Sequence, residues 1–262
     1  MKTPYILAIS SFAVHGTASL KTFITLLGEK TLPVPSLVLN GLTNMSLVKK
    51  LDIPFEALLQ STFELAANRE LELILYIGYL GKADQADIII KMIHNYRDHI
   101  KTIITDPVCG DHGRTYVPGE TITRWPDIIH LSDIVFPNIT EIKILTGHDP
   151  DDNQQDQIYI DQFRELFPGI QLVVTSVKTE DHQIGIRAYN GDEAYSYSHK
   201  ILPKNYGGSG DAFLALFILN HFYQKMNFKE ALKMAADQTY QVMKNSIDNH
   251  SDDLLISMIQ QQ

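Results

Sequence analysis

The sequence predicts an α/β fold of three layers, in which helices cover both faces of a central, mostly parallel sheet, with a small β-hairpin in addition. Short apolar runs alternate with amphipathic segments along nearly the whole chain, a pattern typical of β-α-β units. Asn190-Gly191 stands between two alternating runs, which predicts the hairpin. No linker, repeat or low-complexity segment interrupts the 262 residues, so we expect a single domain spanning residues 1–262.

Strands are predicted where short apolar runs are bounded by polar or turn residues, because a strand buried on both faces has no polar side. In chain order these runs are residues 5–9, 33–39, 71–77, 102–105, 133–136 and 170–174. The two arms of the hairpin are predicted at 184–189 and 193–197.

Helices are predicted between the strands, where apolar residues recur every three or four positions. They lie at 17–27, 54–69, 83–96, 160–167 and 229–245, with a further helix from Pro137-Asn138 to near Gly147. Residues 119–131 are expected to be partly helical, with a break at Pro126. One more helix is predicted in the apolar run 212–219, directly after a glycine-rich stretch.

The composition narrows the class of ligand. The formal net charge of −9 argues against a nucleic-acid partner, whose phosphates require a basic surface. A single cysteine, Cys109, cannot form an intrachain disulfide, which favours a reducing, cytoplasmic location. No apolar run approaches the roughly 18 residues needed to span a bilayer, so no membrane partner is expected.

The topology predicts where a ligand would bind. Open parallel sheets bind ligands beyond the carboxyl ends of their strands. Polar residues that each follow a predicted strand are therefore expected to gather along one rim, close to Asp211. These residues are Ser10, Thr43, Tyr79, Asp106, Asn138 and Thr175.

The stretch Gly207-Gly208-Ser209-Gly210-Asp211 indicates an anion site. Glycines allow a ligand to approach the backbone closely, and the first amide groups of a helix have no internal partner. A carboxylate beside a bound anion is unfavourable as an anion ligand, but it is suited to take a proton from an attacking hydroxyl. The alternative interpretation is that Asp211 only complements the helix dipole.

Carboxylates on the same rim indicate a cation site. Asp106, Asp111 and Glu141, together with Asn138, offer the oxygen ligands that Mg²⁺ prefers. Taken singly, Asp106 could instead cap a turn and Glu141 could complement a helix dipole. Together with the anion site, these residues would supply what phosphoryl transfer requires, namely a site for the phosphates, a metal ion and a base. The sequence lacks both the P-loop run and the protein-kinase motifs, so residues 207–210 would have to hold the phosphates.

Gly208-Ser209-Gly210-Asp211 before an apolar helix resembles the signature of the ribokinase-like superfamily. Further motifs, in the expected order over nearly the whole chain, are similar to those of the pyridoxal kinases. They are Ile9-Ser10-Ser11 with His15-Gly16, Asn40 to Thr43, Gly78-Tyr79-Leu80-Gly81, Asp106-Pro107-Val108-Cys109-Gly110-Asp111, Tyr116-Val117-Pro118, and Pro137-Asn138 with Glu141.

This resemblance implies a homodimeric enzyme that uses ATP to phosphorylate the 5′-hydroxymethyl group of pyridoxal, pyridoxine or pyridoxamine. It implies Asp211 as catalytic base, with Gly208, Ser209 and Gly210 as the anion hole. The substrate would contact Ser10, Thr43, Tyr79 and Tyr116. The nucleotide would contact Asn138, Thr175, Ser176, Gly207, Gly208 and Gly210. Mg²⁺, and a monovalent cation such as K⁺, would lie beside Asp106, Asp111 and Glu141.

Two stretches depart from that pattern. Leu42 stands where the pyridoxal kinases more often have the histidine of a Ser-Asn-His-Thr run, and residues 16–23 resemble the hydroxymethylpyrimidine kinase branch. That branch, however, usually has cysteine at the position of Asp211. A hydroxymethylpyrimidine kinase is therefore the nearest alternative, followed by a non-catalytic protein that binds the vitamin or the nucleotide. A sugar kinase is disfavoured, because few carboxylates are available to bind several hydroxyls.

Overall fold

A computed structural model of the chain describes residues 3–42, 45–179 and 182–257. Within these residues nine strands form one sheet, whose strand order is β11-β10-β9-β8-β5-β4-β1-β2-β3. These strands are β1 (Tyr5–Ala13), β2 (Thr31–Leu39), β3 (Lys50–Leu51), β4 (Leu73–Ile77), β5 (Ile100–Thr105), β8 (Ile134–Val135), β9 (Gln171–Lys178), β10 (Gln183–Asn190) and β11 (Glu193–Lys200). A separate two-stranded ribbon pairs β6 (Gly110–Asp111) with β7 (Arg114–Thr115).

Helices cover both faces of the sheet. In chain order they are α1 (Leu20–Leu27), α2 (Phe55–Asn68), α3 (Asp84–Asn95), α4 (Gly119–Ile122), α5 (Trp125–Ile129), α6 (Ile139–Leu145), α7 (Asp156–Leu166), α8 (Ser209–Ile218) and α9 (Phe228–Asp248). None of the helices in the described residues is long and apolar enough to cross a membrane.

Alternation along the central strands divides the interior into two cores. In β1, Leu7 and Ile9 belong to one core, whereas Ile6 and Ala8 belong to the other. The first core packs against α2, α3, α5, α6 and α7, and the second packs against α1, α8 and α9. Because both faces are covered, the central strand β4 is apolar and buried along its whole length. The predicted three-layer α/β/α class is confirmed.

The predicted hairpin forms, but it extends the main sheet. β10 pairs antiparallel with both β9 and β11, and Asn190 pairs with Glu193, so the turn itself is Gly191-Asp192. Gly191 has a φ of 59°, a conformation that glycine adopts without a steric penalty. The central pairs from β2 through β9 are parallel, and β3 is antiparallel to β2.

Near the candidate site, two strands and one helix begin or end at residues other than those predicted. β1 continues through Ser10-Ser11 to Ala13, because these residues keep pairing with β2 after a register shift. Helix α1 begins at Leu20 rather than Thr17, and Ser19 before it has a φ of 51°. β9 likewise continues through Thr175-Ser176 to Lys178.

The strand order reverses beside β1. The chain passes from β1 to β2 on one side, whereas β4 and β5 lie on the other. The connecting helices α1 and α3 pack on opposite faces of the sheet. A crevice therefore opens at the carboxyl ends of β1 and β4, as is typical of ligand sites in doubly wound sheets.

Candidate active site

A cavity of about 620 Å³ lies at this crevice. Nearly all of the residues predicted to form a site line it, although they come from connections spread over most of the chain. They are Tyr79, Asp106, Asp111, Tyr116, Asn138, Glu141, Thr175, Ser176, Gly207, Gly208, Ser209, Gly210 and Asp211. The structure thus brings the predicted set together at one place, as expected for residues at the carboxyl ends of parallel strands.

Of the predicted residues that the structure describes, Ser10 is not in this lining. Ser10 is only 1% exposed, and its hydroxyl oxygen accepts a hydrogen bond of 3.2 Å from the backbone N–H of Tyr79. Its neighbour Ser11 lines the cavity instead, because adjacent residues of a strand point to opposite sides. Thr43 lies outside the described residues.

The glycine loop, residues 207–210, contains one position that only glycine can occupy without strain. Gly208 precedes α8 with a φ of 85°, and a Cβ atom there would lie 2.6 Å from the carbonyl oxygen of Thr17. A Cβ on Gly207 or Gly210 would meet nothing within 4 Å, so these two residues face open space. Within the described chain, the amides of Gly210 and Asp211 have no hydrogen-bond acceptor. The loop therefore presents bare N–H groups and the positive end of a helix dipole.

The carboxylate of Asp211 is fixed from the opposite wall. The backbone N–H of Ser19 donates to Oδ2 of Asp211 at 2.9 Å, and the hydroxyl of Ser11 donates to that of Ser19 at 2.9 Å. Burial raises the pKa of Asp211 to about 6, and the hydrogen bond from Ser19 opposes that rise. A carboxylate with this pKa is ionised at neutral pH and is a stronger base than an ordinary aspartate.

A second carboxylate, that of Asp106, directly follows β5 and lies close enough to Asp211 to interact with its charge. Burial raises the pKa of Asp106 well above its ordinary value, and the charge of Asp211 raises it further. Two carboxylates that lose water beside each other repel, and a bound cation or a proton would relieve that repulsion.

Glu141 is held by the backbone. It is 2% exposed and forms a capping box with Asn138, in which Oε2 accepts from the Asn138 N–H at 2.8 Å. Its Oε1 accepts from the N–H of Cys109 at 3.1 Å. Burial and then the charge of Asp106 raise the pKa of Glu141, and the two backbone hydrogen bonds act against this. The side chain therefore orders α6 and the loop after Asp106, whatever else it binds.

The acidic residues do not form a preassembled metal cage. Among the described residues, no group of three or more His, Cys, Asp or Glu side chains is arranged to hold a metal ion. Asp111 lies on the β6–β7 ribbon, where one of its oxygens accepts from the N–H of His112 at 2.8 Å. The desolvated oxygens of Asp106 and Glu141 fit a Mg²⁺ ion whose remaining ligands are phosphate oxygens and water.

A β-bulge shapes the wall formed by β9. The pairing with β10 shifts at Thr175 and Ser176, and Ser176 has a φ of 59°. Thr175 forms a single parallel bridge to Asn138, whose side-chain amide donates to the carbonyl oxygen of Gly110 at 2.8 Å. Bulges commonly redirect side chains beside active sites, and here both residues of the bulge line the cavity.

The remaining wall of the cavity is apolar. Leu42, Val48 and Tyr79 pack against a small cluster that includes the buried Leu39. Lys50, the first residue of β3, donates from Nζ to the hydroxyl oxygen of Tyr79 at 3.3 Å. We call these five residues the apolar end. We call Asp106, Glu141 and Asp211, with the glycine loop, the acidic end.

Tyr116 lies at the mouth of the cavity, after the β6–β7 ribbon. It is 52% exposed, and its backbone N–H donates to the carbonyl oxygen of Cys109 at 3.2 Å. Cys109 itself is buried, and burial followed by the charge of Glu141 raises the pKa of its thiol. The thiol therefore stays protonated, which agrees with a packing role.

Sequence reasoning missed three residues whose polar groups make contacts at the site, namely Ser11, Ser19 and Lys50, and the apolar residues Leu39 and Val48. Ser19 and Lys50 carried no signal, because a serine at positive φ and a two-residue strand leave no pattern in a sequence. Ser11 could have been found from the alternation of side chains along β1, if the strand had been extended beyond Ile9.

Residues 18–254 match the sequence profile of the phosphomethylpyrimidine kinase family. Among curated proteins, the pyridoxal kinase of Arabidopsis thaliana is 24% identical, and the alignment covers 99% of this chain and 90% of that protein.

Solved structures agree in fold. A Bacteroides thetaiotaomicron protein provisionally assigned as a phosphomethylpyrimidine kinase, crystallised with pyridoxal, has a TM-score of 0.82 at 26% identity, covering 94% of this chain and 89% of its own. Pyridoxal kinase of Leishmania donovani in complex with ADP and pyridoxamine has a TM-score of 0.80 at 19% identity, covering 97% and 90%.

Proposed function

The chain belongs to the phosphomethylpyrimidine kinase family, and we propose that it transfers the γ-phosphoryl group of ATP to the 5′-hydroxymethyl group of a B6 vitamer. The named activity of the Arabidopsis relative supports this substrate class, as do pyridoxal in the Bacteroides structure and ADP with pyridoxamine in the Leishmania structure.

One observation carries the proposal. The carboxylate of Asp211 lies in the first turn of α8, next to amide groups that have no acceptor within the described chain. In this arrangement a phosphate bound to the amides would bring its transferring group next to the base. Asp211 would remove the hydroxyl proton, while the amides of Gly208 and Gly210 stabilise charge that develops on the phosphoryl oxygens. Ser209 stays a predicted third donor, although its N–H here donates to the carbonyl oxygen of Tyr206 at 3.4 Å.

The other predicted residues have supporting roles in this scheme. Asn138, Thr175, Ser176 and Gly207 would contact the nucleotide, and Tyr79 and Tyr116 would contact the vitamer ring. Ser10 would act through Tyr79, whose backbone it holds. We keep Thr43 as a predicted contact of the ring.

The acidic end would also bind the cation. A bound Mg²⁺ ion would offset the negative charge of the ATP phosphates. Asp106 and Glu141 are its proposed protein ligands, because both lose water and repel each other when no cation is bound. Asp111 and a monovalent cation such as K⁺ remain predicted partners of the same carboxylates.

A turnover assay tests the proposal. The protein is incubated with MgATP and, separately, pyridoxal, pyridoxine, pyridoxamine and hydroxymethylpyrimidine, and ADP release is measured against a reaction without any alcohol. We expect at least one B6 vitamer to have a kcat/KM about tenfold or more above that of hydroxymethylpyrimidine, since the two rings present different hydrogen-bonding groups. Vitamer binding without ADP release would contradict catalysis.

Hydroxymethylpyrimidine phosphorylation is the second candidate. The family profile is named for a kinase of the related phosphomethylpyrimidine, and residues 16–23 resemble the hydroxymethylpyrimidine kinase branch. Asp211 argues against it, because that branch usually carries cysteine there. A higher kcat/KM for hydroxymethylpyrimidine than for every B6 vitamer would identify the protein as a hydroxymethylpyrimidine kinase.

A further inference from the structure

We propose that Lys50 selects the substrate, by binding an acceptor oxygen on the ring and thereby favouring 3-hydroxypyridines over aminopyrimidines. The inference rests on the proposed function, since it names the ligand class of the same cavity. It concerns the apolar end, in which Lys50 is the one charged residue of the five.

The ammonium group of Lys50 is held in place by two contacts. Its Nζ lies 3.3 Å from the hydroxyl oxygen of Tyr79 and 6.0 Å from the centre of that ring. Tyr79 is itself anchored, because its N–H donates to Ser10 and its carbonyl oxygen accepts from the hydroxyl of Ser36 at 2.6 Å. Lys50 opens β3 directly opposite Leu39, so its backbone is fixed to the edge of the sheet.

The ammonium group of Lys50 has no carboxylate partner among the described residues around it. Leu39, Leu42 and Val48 contribute hydrocarbon to this part of the cavity. The carboxylates that line the cavity surround Asp106 instead, and none of the described residues forms an ion pair with Lys50. A flat apolar ligand bound here would therefore meet a single charged group, and that group is a donor.

Hydrogen-bond chemistry then decides between ring types. An ammonium group has three protons to donate and cannot accept. The hydroxyl oxygen of Tyr79 accepts one of them, which leaves the others for a ligand. All B6 vitamers carry a ring hydroxyl at position 3, which can accept as a neutral group and accepts more strongly once ionised. When its hydroxymethyl group is placed as in a B6 vitamer, hydroxymethylpyrimidine has a ring nitrogen in place of C3 and its amino group on the neighbouring carbon. No exocyclic oxygen then extends toward Lys50, so the contact would be weakened.

The test pairs a variant with a matched substrate. Lys50→Met keeps the length of the side chain and removes its charge, whereas Lys50→Arg keeps the charge. Pyridoxine is compared with its 3-deoxy analogue, which lacks the ring hydroxyl. We expect Lys50→Met to lower kcat/KM for pyridoxine about tenfold through KM, the low end for a hydrogen bond to an exposed cation, and to leave the analogue unchanged. Lys50→Arg should recover most of the loss.

Lys49→Met is the matched control, since Lys49 is the exposed neighbour and does not line the cavity. It should leave both substrates within twofold of the native protein. Lys50 is exposed as well, so an unchanged melting temperature is expected for each variant. An equal effect of Lys50→Met on pyridoxine and its analogue, or no effect on either, would overturn the proposal.

Calorimetric binding separates this inference from the proposed function. Pyridoxine and the analogue are titrated into native protein and into Lys50→Met without nucleotide. If the native protein shows no vitamer-dependent ADP release, the proposed activity fails. A roughly tenfold weaker binding of pyridoxine alone to Lys50→Met would still support the role of Lys50. Equal binding to both proteins would overturn it independently.

Discussion

At one end of the cavity three carboxylates have lost much of their water and face one another, whereas at the other end a single lysine stays exposed above an apolar wall. The acidic end is built from strand ends, a helix N-terminus and a capping box, and backbone N–H groups hold both oxygens of Glu141 and one oxygen of Asp211. The apolar end depends on the two-residue strand β3 and on side-chain contacts. The comparison assigns the proposed chemistry to regular strands and helices and the proposed selectivity to the edge of the sheet.

This division has a kinetic consequence. In the proposed reaction, groups at the acidic end would interact with charge that develops during transfer, so their removal should lower kcat. Groups at the apolar end would contact the ring equally before and during transfer, so their removal should raise KM and leave kcat nearly unchanged. The predictions below test these two expectations in order of decreasing effect.

The largest effect is expected for Asp211→Asn, which keeps the shape of the side chain and removes the base. Turnover with MgATP and the best vitamer should fall roughly 100-fold or more, on the scale of general-base contributions. Its affinity for the vitamer, measured by calorimetry, should change little.

Asp192→Asn is the control for that experiment, because Asp192 is exposed in the turn between β10 and β11 and makes no part of the cavity. It should retain native turnover. Near-native turnover of Asp211→Asn would show that Asp211 is not the base. It would also contradict the expectation that residues of the acidic end act on kcat.

The fold and the acidic end could be predicted from the sequence because local chemistry marks them. A glycine at positive φ before a helix, an Asn with Glu three residues later and an Asp after a buried strand each leave a recognisable pattern. The rule for parallel sheets then brings these patterns together. Gly208, Glu141 and Asp106 are examples of residues whose position follows from this reasoning.

The apolar end could not be predicted in the same way. Lys50 reaches the cavity because β3 pairs with the end of β2, and two residues are too few to show a period. The backbone N–H of Ser19 holds Asp211, and Ser19 has a positive φ, which serine rarely adopts. Contacts made by a backbone group, or by a side chain on a short edge strand, depend on tertiary structure and leave no local pattern.

The second prediction concerns pH and would sharpen the description of the acidic end. Since the pKa of Asp211 is raised to about 6, its carboxyl ¹³C resonance in the nucleotide-free protein should titrate near pH 6. The base is active only when ionised, so kcat/KM should be about tenfold lower at pH 5 than on its plateau. A resonance that titrates near the ordinary aspartate value would contradict the desolvation of this residue.

The same shift fixes the sign of a stability effect. A carboxyl whose folded pKa is raised binds its proton more tightly in the folded state, so its contribution to the free energy of unfolding is fully present below pH 3.8 and is lost as pH rises through about 6. The melting temperature of the native protein relative to Asp211→Asn should therefore decline over this interval, as measured by scanning calorimetry.

The smallest effect is expected at the apolar end, for Leu42→Ala. Leu42 lines the cavity and packs so closely on Gly16 that a Cβ there would lie 2.4 Å from its Cγ. Removing its outer methyl groups takes hydrocarbon from the wall that the ring would contact, which should raise KM for the vitamer roughly fivefold and leave kcat within about twofold. The control is Leu47→Ala, since Leu47 is 89% exposed and does not line the cavity, and it should change neither constant. If Leu42→Ala lowered kcat by the factor found for Asp211→Asn, the apolar end would contribute to transfer itself, and the division between selectivity at the sheet edge and chemistry at the helix N-terminus would be wrong.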